Sequence, residues 1–106
     1  VTIARRIYIA GPITKGDYIS NIRQAVNAAH ALRERGWYPF VPHLCALWEL
    51  VSPRPYEDWL EQDFAWLDVC DALLRLPGES PGADREVARA RQAGKLLYFN
   101  LEDVIR

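Results

Sequence analysis

Short apolar strands alternating with helices predict an α/β domain, a parallel sheet covered by helices on both faces and built as one unit over residues 1–106. Three observations carry that expectation. The apolar runs "IYIA", "ALLRL" and "KLLYF" have strand length and are too short for helices. Longer stretches between them repeat apolar residues at three- and four-residue steps, the period of a helix that buries one face. Glycine or proline punctuates most junctions.

Taken in order, the first strand covers Ile7 to Ala10 and stops at Gly11-Pro12. The following "YISNIRQAVNAAHALRERG" sets Ile19, Ile22, Val26, Ala29 and Leu32 on one stripe, and Gly36 supplies the C-terminal stop. "WYPFVP" is a second strand, and Pro39 assigns it to a sheet edge, where a missing N–H costs least. His43 to Pro55 reads as loop with one short helical piece around "LCALWEL". "YEDWLEQDFAWLDVCD" is the second long helix, "ALLRL" the third strand, "GADREVARARQAG" a helix ending at Gly94, and "KLLYF" the fourth strand. Strand–helix–strand units of this kind are right-handed and give parallel pairing. In such sheets ligands bind beyond the carboxyl ends of the strands, so the loops "GPITKGD", "VPHL" and "PGESPG" should share one crevice.

Composition narrows the partners. Half of the 106 residues are hydrophobic and 25% are charged, as in soluble globular proteins. A net charge of −1 offers no basic footprint for a nucleic-acid polymer or an anionic membrane. Cys45 and Cys70 form no CxxC pattern and read as reduced thiols of a cytoplasmic protein. No signal peptide or membrane-spanning run is expected. His43 and Cys45 have no metal-ligand spacing with Asp63 or Cys70, so neither a metal nor another cofactor is expected.

Two carboxylates stand out. On their helix Trp59, Leu60, Trp66, Leu67 and Cys70 make an apolar stripe, with Glu61 and Asp68 opposite. Asp63 falls inside that stripe, where an ionised carboxylate needs a partner or has its pKa raised. It is either a structural residue paired with a backbone group or an arginine, or a proton donor near neutrality. Glu86 lies six residues beyond Ser80, beside the apolar face of Ala83, Val87 and Ala90. A bland role as an acid near a helix N-terminus competes with a role in the crevice. Together the two suit glycosidic-bond cleavage, in which one carboxylate attacks the anomeric carbon and the other protonates the leaving group. Tyr8 is then the candidate to hydrogen-bond the attacking carboxylate, or else a sheet-packing aromatic.

Around them, Gly78, Ser80 and Gly82 form a turn at a helix start that caps the helix and also suits an anion. Gly11, Ile13, Thr14 and Lys15 of the first loop add backbone amides, a hydroxyl and a cation as substrate contacts, without P-loop or dinucleotide-fingerprint spacing. His43 is expected on the crevice wall, and Trp48 is a candidate for a base pocket.

The ordered set "IYIAGPI", "EQDFAWLDVCDALL", "LPGESPGADREVARA" and "GK" resembles the nucleoside 2-deoxyribosyltransferase-like superfamily over nearly the whole chain. The resemblance implies one flavodoxin- or Rossmann-like three-layer sandwich, with a parallel sheet of four to five strands. It further implies Glu86 as nucleophile, Asp63 assisting the leaving base and Tyr8 orienting the nucleophile. Ser80 stands where nucleotide hydrolases of the superfamily hold a phosphate, although "GPITKGD" lacks their Gly-Gly-Arg. The implied activity is hydrolysis of the N-glycosidic bond of a nucleoside 5′-monophosphate in a homodimer or larger oligomer. Base exchange and a non-catalytic nucleotide-binding module are the alternatives.

Overall fold

The computed structural model describes residues 4–105. Four strands, β1 (Arg5–Ala10), β2 (Trp37–Phe40), β3 (Ala72–Arg75) and β4 (Leu96–Tyr98), form one sheet in the order β2-β1-β3-β4. Every pairing is parallel, with Tyr8 opposite Phe40 on one side and Leu73 on the other. Four helices accompany them: α1 (Tyr18–Glu34), α2 (Cys45–Val51), α3 (Tyr56–Asp68) and α4 (Pro81–Gln92). The four strands and the edge position of β2 agree with the sequence reading.

The two-residue period of the strands splits the core into two. Ile7, Ile9 and Leu74 point to the α1 side and pack with Ala25, Ala28, Leu32 and Trp37. Tyr8, Ala10 and Leu73 point to the opposite side and pack with Leu67, Val87 and Ala90 of α3 and α4. That makes three layers, helix–sheet–helix. On α1 the buried line is Ala25, Ala28 and Leu32, rotated from the expected stripe, and Ile19 is left 65% exposed. Two alanines let the helix approach the sheet more closely than the larger residues beside them. The segment Leu101–Ile105 closes this side: Val104 enters the core, Arg35 donates to the Leu101 and Val104 carbonyls, and Trp37 Nε1 donates to the Ile105 carbonyl at 2.9 Å.

After β2 come a 3₁₀ turn at Pro42–Leu44 and then α2, at the place of the short helical piece expected around "LCALWEL"; its outer face leaves Leu47, Leu50 and Val51 exposed. Trp66, expected in the buried stripe of α3, is 49% exposed. It caps a stack instead, lying on Phe40 at 5.3 Å between centroids, with Phe40 on Tyr8 at 5.6 Å. Both cysteines are free. Among the described residues no helix is long and apolar enough to cross a membrane, and no group of three or more His, Cys, Asp or Glu side chains could hold a metal ion.

The site-bearing end of the sheet is where β1 and β3 stop side by side. Between them the strand order reverses, opening a crevice. Leu76 N donates to the Ala10 carbonyl at 2.7 Å, and the loops then run in contact. Gly78 has φ +112°, and a Cβ there would lie 2.7 Å from Pro12 Cγ. Only glycine suits both the backbone and the approach. Gly78→Ala should therefore destabilise by about 2–3 kcal/mol. Gly94→Ala, also at positive φ but in open space, should cost about 1 kcal/mol. Urea denaturation of the two variants checks the difference.

Candidate active site

A cavity of about 420 Å³ opens at this end, bounded by the loop after β1, the inner side of α2, one face of α3 and the start of α4. Each wall follows from local chemistry. Asp17 caps α1, accepting from Ser20 N at 3.4 Å, and Asn21 donates to the carbonyls of Ile13 and Lys15 at 3.1 and 2.7 Å. These bonds fix the first loop, from which Gly11, Ile13, Thr14 and Lys15 line the cavity. Ser80 caps α4, its Oγ accepting from Ala83 N at 3.1 Å, and Pro81 takes the first helical position. The helix therefore starts at the cavity and directs Gly82, Arg85 and Glu86 at it.

Glu86 is 5% exposed. Tyr8, fully buried on the central strand, donates its hydroxyl to Glu86 Oε2. Asp63 lines the same cavity, and its Oδ1 is buried with no hydrogen-bond partner. Among the described residues neither acid belongs to an ion pair; the paired acids are Glu57, Asp58, Asp68, Glu79 and Asp84. Burial pushes the Asp63 carboxyl up to about 7. Burial also raises Glu86 and outweighs the Tyr8 hydrogen bond, which lowers it; the Asp63 charge raises it further, and Arg75 lowers it. Tyr8 is raised as well, first by burial and then by Glu86 and Asp63, so its hydroxyl keeps its proton and serves as donor. A proton and a negative charge can thus reside on two neighbouring carboxyls in one cavity.

Eight of the expected residues line this cavity: Gly11, Ile13, Thr14, Lys15, Asp63, Ser80, Gly82 and Glu86. Tyr8 stands behind Glu86, in contact with it rather than on the wall. His43 is a correction. It is 1% exposed beneath the wall, with Nε2 at 3.1 Å from the Pro12 carbonyl. Burial pushes its pKa down to about 4, so the ring is neutral and Nε2–H is the donor. Its role is to hold the first loop, and its ring does not face the cavity. Trp48 is displaced too. It packs edge-on against Trp59 at 5.1 Å, and Trp59 is the tryptophan that lines the cavity. Glu49 fixes that ring, accepting from Trp59 Nε1 at 3.2 Å and from Arg54 N at 2.9 Å.

The sequence reading missed Tyr56, Glu49 and Arg85 as lining residues. For Tyr56 a signal existed, since it lies seven residues before Asp63 and shares its helix face. Its hydroxyl also explains Gly82, where a Cβ would come within 2.8 Å of it.

The raised Asp63 fixes a pH dependence of stability. A carboxyl with a higher pKa folded than unfolded binds its proton more tightly in the native state. Stability therefore falls as pH rises from the unfolded value near 4 through the folded value near 7. Between pH 5 and pH 8 the wild type should lose about 1–3 kcal/mol more than Asp63→Asn, read by urea denaturation at each pH.

Comparisons with known proteins agree with this architecture. No curated protein matches the sequence. Among solved structures, a 2-desoxiribosyltransferase from Leishmania mexicana matches with a TM-score of 0.65 at 20% sequence identity, over 88% of this chain and 61% of that chain. The likeness is one of fold, the deoxyribosyltransferase-like α/β fold, and this chain spans about three fifths of that protein's length. One family model matches residues 5–99, and the chain belongs to the family it describes, "Domain of unknown function (DUF4406)".

Proposed function

We propose that the protein cleaves the N-glycosidic bond of a nucleoside 5′-monophosphate and releases the free base. One observation carries this reading: two desolvated carboxyls line one cavity, unpaired with any cation, and a buried tyrosine hydroxyl grips one of them. Tyr8 engages Oε2 of Glu86 and leaves the other oxygen for attack. That carboxylate bonds to C1′ of the sugar as the C1′–N bond breaks through an oxocarbenium-like transition state. The departing base takes the proton of Asp63, whose pKa of about 7 keeps it available in neutral solution. Water then attacks C1′, its proton passes to Asp63, and the ester bond to Glu86 breaks.

The cavity walls suit the two ends of such a substrate. Ser80 and the first amides of α4 present a hydroxyl and a helix N-terminus to a phosphate. Tyr56, Trp59 and Leu60 supply an apolar wall for a base. The name of the structural neighbour favours a second reading, base exchange, in which a second nucleobase replaces water in the last step.

Incubation with a panel of ribo- and deoxyribonucleoside 5′-monophosphates should release free base, resolved by chromatography. Glu86→Ala should lose roughly 10³-fold or more of that activity. Unchanged turnover by this variant rejects the assignment. Added free base of a second kind should leave the products unaltered; a new nucleotide in its presence selects exchange over hydrolysis. Asp63→Asn should slow release by about 10²–10⁴-fold. Because the acid must hold its proton, the wild-type rate should fall as pH rises through about 7, and the variant should lose that alkaline limb.

A further inference from the structure

We infer that Glu79 sets the preference between phosphorylated and unphosphorylated nucleosides by occupying Lys15, the cation that a 5′-phosphate would engage. The inference rests on the reading of the cavity as a nucleotide site and adds a specificity residue to it. Two basic side chains, Lys15 and Arg85, line the cavity. Each is held by a carboxylate from outside its lining: Lys15 Nζ lies 2.6 Å from Glu79 Oε2, and Arg85 Nη1 lies 3.3 Å from Glu57 Oε1. The cavity therefore presents its cations already neutralised.

Glu79 is the better placed of the two carboxylates to compete with a phosphate. It immediately precedes Ser80, whose hydroxyl caps α4, so its charge stands beside the helix N-terminus that would take the anion. Its pairing with Lys15 also ties the loop after β3 to the loop after β1 across the mouth. The Lys15 backbone is pinned through the Asn21 bond to its carbonyl, while its side chain is 55% exposed and that of Glu79 76% exposed. Such a pair is solvated, weak and exchangeable. A phosphate dianion outcompetes a single carboxylate for the ammonium group, and it must do so against the displaced charge of Glu79. A nucleoside meets neither the benefit nor the opposition.

The test measures binding of one deoxyribonucleoside 5′-monophosphate and its parent nucleoside by titration calorimetry, in a Glu86→Gln background that prevents turnover. Glu79→Gln should tighten the monophosphate by about fivefold at low salt and leave the nucleoside within about twofold, with the gain shrinking as ionic strength rises. Lys15→Gln placed on top should abolish the gain. An unchanged monophosphate affinity, or equal tightening of both ligands, overturns the role of Glu79 while leaving the nucleotide site standing. Absence of binding by either ligand to every variant overturns the nucleotide reading together with this inference. Glu79 is exposed, so a thermal midpoint equal to that of the parent confirms that each comparison is between folded proteins.

Discussion

The hydrogen bond from Tyr8 to Glu86 is the contact around which the rest is arranged. It joins the central strand to the second turn of α4, and both partners are inside the protein. A buried carboxylate without a donor costs several kcal/mol, so α4 can keep Glu86 at that depth only if a donor stands opposite. Tyr8 supplies it from a strand position that the period of two directs to the α3 and α4 side. Phe40 and Trp66 then stack outward on the Tyr8 ring and fix its plane. The helix start is constrained in turn. Ser80, Pro81 and the left-handed Gly78 begin α4 one and a half turns ahead of Glu86, close to the end of β3.

Arg75 stabilises the same arrangement from the other side. It ends β3 and donates to the carbonyls of Leu76 and Gly78 and to Asp84 at the start of α4. Those bonds hold the turn between strand and helix, and the guanidinium adds positive potential that favours the ionised form of Glu86. Asp63 acts in the opposite sense. Its charge disfavours a second negative charge nearby, so the two carboxyls tend to share one charge rather than carry two. The hydrogen bond from Tyr8 and the nearby cation favour the charge on Glu86 against the burial that raises its carboxyl to about 8, whereas the inner oxygen of Asp63 has neither partner.

Much of this was legible in the sequence because it depends on local periodicity. The four strands, the helices and the edge position of Pro39 follow from apolar spacing and punctuation within each segment. Asp63 was conspicuous because a carboxylate within an apolar stripe contradicts its surroundings, and Glu86 because it adjoins the apolar face of its helix. What escaped depends on contacts between distant segments. His43 looked like a wall residue from its place in a loop, but its partner is a carbonyl 31 residues away and its ring lies beneath the wall. Trp48 and Trp59 could not be ranked, since their order is set by how α2 folds back on α3 through Glu49. Ion pairs such as Lys15 with Glu79 bridge loops 64 residues apart and leave no mark on hydropathy.

A fold optimised for stability alone has little use for Asp63. The described side-chain carboxylates drawn into ion pairs all sit at the surface, at positions where such pairs contribute little. Asp63 has an oxygen in the interior without a partner, and burial pushes its carboxyl up to about 7, which destabilises the native state at neutral pH. An apolar residue of similar size at that helix position would pack against the same neighbours without the penalty. At Asp63 the conflict between local sequence and stability lies on the wall of a cavity that Glu86 also lines and that is large enough for a nucleotide-sized ligand. Such conflicts concentrate where a protein handles its ligand. The same burial that weakens the fold gives Asp63 a proton it can release near neutrality, and this ties the cost in stability to the proposed chemistry.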